Sequence, residues 1–249
     1  MGPPDHVRAA VRDGLGVGIA VGLSGLAFGA AAIAAGLGVA QACVLSLVAF
    51  SGASQFALIG VIAGGGDLVA GSAGAVLLGG RNALYGLRLA DLLRVRGWHR
   101  LATAQVVIDE TTAIATAQPD RPSARAGFRA AGITLYATWN MATALGALGA
   151  ARLGDPETIG LDVLGPAAFL ALLWPRLTAG KAERAVAAAA VVIAVATTPL
   201  LPPGVPVMLA AVAALGGLIR RGPLPRRRRG RRPPSGGGGA KAAPEAGER

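Results

Sequence analysis

The sequence predicts an all-α, polytopic transmembrane helical bundle with about six to eight crossings. The chain of 249 residues is 53% hydrophobic and only 15% charged, and its mean hydropathy is +0.55. A soluble domain usually carries about 25% charged residues. Its 38 glycines and many alanines would weaken helices in water, but in a bilayer small residues let helix backbones approach closely.

Apolar segments near or above the length of a membrane span recur along the whole chain, which indicates several spans rather than one anchor. Eight can be drawn, at 14–36, 39–63, 68–92, 101–118, 128–151, 160–175, 184–200 and 204–219. We expect a transmembrane transport domain over 14–219, a cytoplasmic segment at 1–13, and a disordered basic tail at 220–249. The first apolar run is too long for a typical signal peptide, so we expect it to stay attached as the first helix.

The first segment carries glycines at a spacing suited to helix packing. Gly14, Gly18 and Gly22 are four residues apart, and Gly25 and Gly29 follow. This spacing predicts a small-residue face against a neighbouring helix. A general richness in alanine and glycine would produce the same pattern.

Most of the net charge of +11 lies in the tail, where residues 220–249 carry +8. Proline, glycine and arginine without apolar periodicity predict disorder there. Basic residues at both ends favour a multi-pass protein of the inner membrane with both termini in the cytoplasm, and attraction of the tail to anionic lipid heads. We expect no nucleic-acid partner, because no aromatic recognition motif accompanies the arginines.

The central stretch from Phe50 to Leu93 is mostly apolar or very small, but polar side chains are set inside it. They are Ser51, Ser54, Gln55, Arg81, Asn82, Tyr85, Arg88 and Asp91. Polar groups at membrane depth are costly, and they normally face a bundle interior or a wet cavity. This stretch is therefore predicted to be the heart of a membrane transport site.

The same stretch is where a simple count of crossings fails. Alternation from a cytoplasmic N-terminus puts Arg94, Arg96 and Arg100 outside, against the positive-inside rule. A broken or re-entrant helix within 50–92 would resolve this, and 64–66 and 79–80 are glycine runs suited to the breaks. A weak two-fold repeat of interrupted segments also points towards a transporter.

Three residues of the stretch share a helical face, because Arg81, Tyr85 and Arg88 are spaced four and three apart. Arg81 would bind a substrate carboxylate, or else form a structural ion pair with Asp109 or Glu110. Arg88 and Asp91, three residues apart, can also pair.

Asp109 and Glu110 lie in the middle of the segment 101–118 and point about 100° apart on a helix. Such acids can bind a substrate ammonium group or relay a proton. They would instead be solvated if the segment lies at an interface.

Ser51, Gly52, Ser54 and Gln55 offer hydroxyl and amide groups beside exposed backbone, which suits a small polar ligand. Helix packing is an equal alternative for these residues.

Four aromatic or amide residues complete the predicted site. Phe50 and Phe56 are expected to contact the apolar part of a substrate, and Trp139 and Asn140 to line the same cavity. Trp139 would equally suit an anchor at the lipid interface.

An enzymatic function is not expected. Residues 22–25 match the G-x-S-G motif of intramembrane serine proteases, but that chemistry needs a histidine at membrane depth. The two histidines, His6 and His99, lie in basic stretches. The single cysteine, Cys43, excludes an intrachain disulfide and a cysteine-based zinc site, and no cofactor or metal is predicted.

Four blocks resemble the AzlC family, also called YgaZ-type branched-chain amino acid permeases. They are FSGASQFA at 50–57, RNALYGLRLADLL at 81–93, IDETTAIA at 108–115 and GLDVLGPAAFLALLWPRL at 160–177. The second block resembles N-x-R-x-x-x-Y-G-x-x-L, and Arg81 and Tyr85 match it. Gly79 stands where the family often has asparagine, and Asn82 follows the arginine instead.

The resemblance implies export of branched-chain or related apolar amino acids, with a small AzlD-type membrane subunit as partner. A channel or transporter for another small solute, and a non-transporting membrane scaffold, are the alternatives.

Overall fold

The computed structural model describes residues 4–153, 180–201 and 205–210, together with isolated positions between 167 and 178. Every regular element in this part of the chain is a helix, so the all-α prediction is confirmed. The helices are α1 (Asp5–Gly22), α2 (Gly25–Ala34), α3 (Val39–Val48), α4 (Gly52–Ala63), α5 (Leu68–Gly79), α6 (Arg81–Leu93), α7 (His99–Gln105), α8 (Asp109–Ala117), α9 (Arg121–Leu153), α10 (Lys181–Thr197) and α11 (Val205–Ala210). The predicted segments 160–175 and 204–219 lie largely, and the tail 220–249 entirely, outside the described residues.

By length and composition, one helical run among the described residues is suited to crossing a membrane. It is Asp5–Ala34, which comprises α1 and α2. The run begins nine residues before the predicted start at residue 14. Hydropathy misses this first part, because it is polar but still packs against the protein: Ala10 is fully buried, and Asp5 lies at the favourable N-terminal end of the helix dipole.

α1 and α2 lie along α9 in parallel, and glycines make the close approach possible. A Cβ atom added at Gly14 would lie 2.6 Å from the carbonyl oxygen of Gly127. One added at Gly29 would overlap the carbonyl oxygen of Thr143. The predicted packing face is confirmed, since Gly14, Gly18, Gly22, Gly25 and Gly29 all meet α9 in this way. We call this contact the glycine seam.

The segments predicted at 39–63 and 68–92 are each divided into two short helices. α3 and α4 are separated at Ala49–Ser51, and α5 and α6 at Gly80. The turn between α4 and α5 uses Gly65 at φ +68°, a conformation that favours glycine. Both predicted glycine break points are therefore confirmed as helix ends.

The segment 101–118 was predicted as one run with two acids at its centre, and this is wrong. The helix stops at Gln105, and α8 starts at Asp109. Thr111 holds the interruption, because its Oγ1 accepts a hydrogen bond from the Ile108 N–H (3.1 Å) and donates to the Val106 carbonyl (2.7 Å). The acids therefore lie at a helix N-terminus.

The core lies where α2, α4 and α9 meet. Phe28, Phe56 and Trp139 are buried there, with ring centroids of Phe28 5.6 Å from Phe56 and 6.0 Å from Trp139. A second cluster joins Leu89 of α6 to Phe128 of α9. Through the glycine seam and this core, α9 packs against α1 and α2 and against the shorter helices α3, α6 and α8.

Candidate functional site

At the break between α3 and α4, side chains of α4, α7 and α9 bind the end of α3. The last carbonyl groups of a helix receive no hydrogen bond from within the helix, so a buried helix end needs donors from elsewhere in the protein. Gln55 of α4 places its Nε2 3.4 Å from the carbonyl oxygens of both Leu45 and Ser46. Its amide thus folds back onto the end of the preceding helix.

The next two carbonyls of α3 are bound from α7 and α9. Gln105 Nε2 donates to the Leu47 carbonyl at 2.8 Å and to the Val48 carbonyl at 3.1 Å. The Tyr136 hydroxyl donates to the Leu47 carbonyl at 3.0 Å. Four consecutive carbonyls therefore have side-chain donors, and the break is a specified feature of the fold.

A cavity of about 550 Å³ opens beside this break, and we call it the break cavity. Its polar walls are Ser51, Ser54, Gln55, Asn82 and Gln105. Its larger apolar walls are Leu45, Val48, Phe50, Leu58, Val76, Leu101 and Val107. This size and this mixture of a mostly apolar wall with a few polar groups are typical of small-molecule sites.

The N-terminus of α4 lies at the cavity. Ser51 precedes the helix, and Ser54 Oγ lies 3.2 Å from Ser51 Oγ. The N–H groups of the first turn have no intrahelical acceptor, and the helix dipole makes this end positive. The break between α5 and α6 lies next to it, since a Cβ added at Gly79 would lie 3.2 Å from Ser54 Oγ.

Gly52 has a steric role in this arrangement. A Cβ at this position would lie 3.0 Å from Cη2 of Trp139, so only glycine fits without a shift of the indole ring. α4 can therefore begin directly against the core.

Arg81 and Asp109 form an ion pair beside the cavity, with Arg81 Nη2 3.4 Å from Asp109 Oδ1. Their side chains are 35% and 38% exposed, and neither lines the cavity. Each is the first residue of its helix, so the carboxylate suits the dipole of α8 while the guanidinium opposes that of α6. The ion pair offsets the unfavourable position of the Arg81 guanidinium and links α6 to α8.

The structure gathers four of the twelve predicted site residues at the cavity: Phe50, Ser51, Ser54 and Gln55. The others lie outside its walls. Phe56 and Trp139 belong to the core, Tyr85 packs on the second cluster, and Asn140 Nδ2 donates to the Tyr136 carbonyl at 2.8 Å. Gly52 and Arg81 are sequence neighbours of the wall residues Ser51 and Asn82, Asp109 pairs with Arg81, and Glu110 follows Asp109 in α8. Arg88 and Asp91, both exposed, form no ion pair with each other.

Gln105 and Tyr136 were not singled out by the sequence pattern, and Asn82 was noted as a polar residue of the central stretch but not predicted at the site. Asn82 and Gln105 are amides inside apolar runs, which was the available signal. Tyr136 gave none, because its partner Leu47 is 89 residues away in the chain.

The family model described as "AzlC protein" matches residues 16–153, which is more than half of the chain. The match includes the first three blocks of the resemblance, while the fourth, at 160–177, lies beyond it. No curated protein and no solved structure matches the chain. The AzlC family is a family of membrane proteins associated with branched-chain amino acid transport. On the extent of the match, the chain belongs to the AzlC family.

Proposed function

We propose that this chain is the large subunit of a two-component transporter that exports branched-chain amino acids by alternating access, without chemical change to the substrate. The family supports the substrate class. The observation that carries the proposal is the break cavity, which has a helix N-terminus and amide groups on one side and aliphatic side chains on the other. An apolar amino acid has the same two-sided chemistry.

The substrate carboxylate would bind at the N-terminus of α4. Free N–H groups and the positive end of a helix dipole together form an anion site, and broken helices in transporters use it for carboxylates. Ser51 and Ser54 lie at this end and line the cavity. Arg81 is the less favoured partner for the carboxylate, because its guanidinium already pairs with Asp109 and it does not line the cavity.

The branched side chain would lie against Leu45, Leu58 and Val76, with Phe50 at the break. Contacts of this kind discriminate weakly between similar aliphatic chains, by about 1–3 kcal/mol for one methylene group. We therefore expect the cavity to accept aliphatic amino acids as a class and to discriminate little among them.

A multi-pass arrangement with both termini in the cytoplasm is part of the proposal. Because α1–α2 runs parallel to α9, basic residues gather at one end: Arg8 and Arg12 lie near the start of α1, and Arg121, Arg125 and Arg129 near the start of α9. The positive-inside rule assigns such an end to the cytoplasm. If both helices cross, the chain between them returns an odd number of times.

Contact with lipid or with a small AzlD-type subunit would cover the outer faces of the broken helices. Val69 of α5 and Leu87 of α6 are each more than 70% exposed. In water such a surface would be an aggregation hazard, whereas in a bilayer it is expected.

The test fills the cavity. We expect Ala75→Phe, on the cavity wall of α5, to abolish leucine export from cells of the native host loaded with a leucine-containing dipeptide. Ala73→Phe adds the same bulk to an exposed position of the same helix and should export normally. Normal export by Ala75→Phe, at a membrane abundance equal to that of wild type, would show that the break cavity is not the leucine site. Flux that rises linearly with internal leucine and never saturates would contradict alternating access and favour a channel.

A further inference from the structure

Two of the amide residues that line the break cavity, Gln55 and Asn82, have side-chain oxygens that are buried without hydrogen-bond partners. Gln55 is only 1% exposed. Its orientation is fixed by chemistry, because Nε2 faces two carbonyl oxygens and the oxygen atom could not replace it there. Its acceptor is therefore directed away from the end of α3.

An unpartnered buried acceptor is rare in folded proteins and each one needs an explanation. Leaving it unpaired is unfavourable, and only a donor can relieve this. None of the described residues that line the cavity carries a charge or supplies a free ammonium donor. A ligand in the cavity that carries a positively charged donor would supply the missing hydrogen bonds.

The chemistry of the two sides of the cavity is complementary to a zwitterion. The N-terminus of α4 favours a negative group, and the two carboxamide oxygens favour a positive donor. We infer that Gln55 Oε1 and Asn82 Oδ1 bind the α-ammonium group of the substrate, so that the site selects amino acids over their deaminated analogues. This inference rests on the proposed function and adds the group that the site recognises.

Neutral acceptors suit a site that must also exist empty. A carboxylate in the cavity would leave a buried, unpaired charge whenever the substrate departs, and such a charge is much more costly than an unpaired amide. Asp109, one of the two acids of the predicted site, is instead paired with Arg81.

The test compares leucine with 4-methylpentanoate, which is leucine without its amino group. Both are titrated onto the purified full chain in detergent, with wild type, Asn82→Leu and Asn82→Asp. Hydrogen bonds to a charged group are worth roughly tenfold or more in affinity, so wild type should bind leucine at least about tenfold more tightly than 4-methylpentanoate. Asn82→Leu should lower the affinity for leucine by about tenfold and change the affinity for 4-methylpentanoate by no more than about twofold.

Asn82→Asp keeps the acceptor and the shape, so it should bind leucine at least as tightly as wild type. The inference is overturned if wild type binds both compounds equally, or if Asn82→Leu weakens both compounds alike or neither. Loss of leucine binding in an Asn82→Asp variant that elutes as a folded protein on size-exclusion chromatography would overturn it too, even if Asn82→Leu misfolds. A wild-type chain that binds neither compound would instead overturn the proposed function.

Discussion

The glycine seam and the break region, α3 to α8, use small residues in opposite ways. In the seam, glycines at regular spacing bring α1–α2 against the backbone of α9 with no room for a Cβ atom. In the break region, glycines at Gly64–Gly66 and Gly80 end helices, and long polar side chains then bind the free backbone. Glycine content alone therefore indicates neither rigidity nor flexibility.

The difference has a mechanical consequence. Close-packed backbones are hard to displace, since packed interfaces do not deform continuously. Short helices joined by a few side-chain hydrogen bonds can move as separate units. We therefore expect the seam to be the fixed scaffold of the transport cycle and the break region to contain the moving parts.

The largest expected effect comes from closing the gap in the seam. Gly29→Ala would force its Cβ into the Thr143 carbonyl, and such overpacking costs about 1–3 kcal/mol. Gly16→Ala is the matched control, since nothing lies within 4 Å of a Cβ there. Thermal unfolding, monitored by size-exclusion chromatography, should show a clearly lower melting temperature for Gly29→Ala and an unchanged one for Gly16→Ala. Equal melting temperatures would mean that the seam is not tightly packed.

A smaller effect is expected from removing the donors that hold the α3–α4 break. Gln105→Leu loses the bonds to Leu47 and Val48, and Tyr136→Phe loses one bond to Leu47. Each lost hydrogen bond costs about 0.5–1.5 kcal/mol. Because both side chains bind the Leu47 carbonyl, the two losses should not add in the double variant, as measured by unfolding. Strict additivity would show that the two donors do not act on one element.

The Arg81–Asp109 pair should contribute less again, at most about 1 kcal/mol, because both groups are over one-third exposed to solvent. A double-mutant cycle with Arg81→Gln and Asp109→Asn measures this coupling by thermal unfolding. Leucine binding should fall similarly in both single variants, since each releases the same contact. If Arg81→Gln alone abolished leucine binding, Arg81 would be a direct carboxylate partner, and our preference for the α4 N-terminus would be wrong.

The smallest effect is expected at the start of the seam, where Asp120 caps α9. Asp120 Oδ1 accepts the Ser123 N–H at 2.9 Å, and Oδ2 lies 3.1 Å from His6 Nε2. The backbone bond to Ser123 holds the pKa of Asp120 below its ordinary value of 3.8, with His6 adding a lesser contribution. The capped form is therefore favoured above the ordinary pKa and lost as the pH falls through the lowered one.

Asp120→Asn keeps an acceptor for the Ser123 N–H, whereas Asp120→Ala removes it. We expect unfolding temperatures at neutral pH in the order wild type, Asp120→Asn, Asp120→Ala, with small steps. As the pH falls through the lowered pKa of Asp120, the wild-type advantage over Asp120→Asn should disappear, because the carboxylate becomes protonated. A wild-type advantage that grows as the pH falls would contradict this.

Local pattern predicted the seam and the two glycine breaks, because their causes lie within a few neighbouring residues. The break at 106–108 could not be predicted this way, since Val106, Val107 and Ile108 continue an apolar run. It depends on Thr111 and on Gln105, whose partners on α3 are more than 50 residues away. Trp139 and Phe56 were expected at the site for the same reason, as sequence cannot tell a core aromatic residue from one at a cavity wall.

Crosslinking with a diazirine analogue of leucine tests most directly whether the break cavity is the amino-acid site. We predict that mass spectrometry of the purified full chain will find modified peptides within 45–58 and within 75–82 or 101–107, and that excess leucine will suppress them. The chain also has an apolar groove of about 420 Å³ between α2 and α9, lined by Leu26, Leu145 and Leu153. Leucine-sensitive modification confined to that groove, with none at the break cavity, would show that the break cavity is not the amino-acid site.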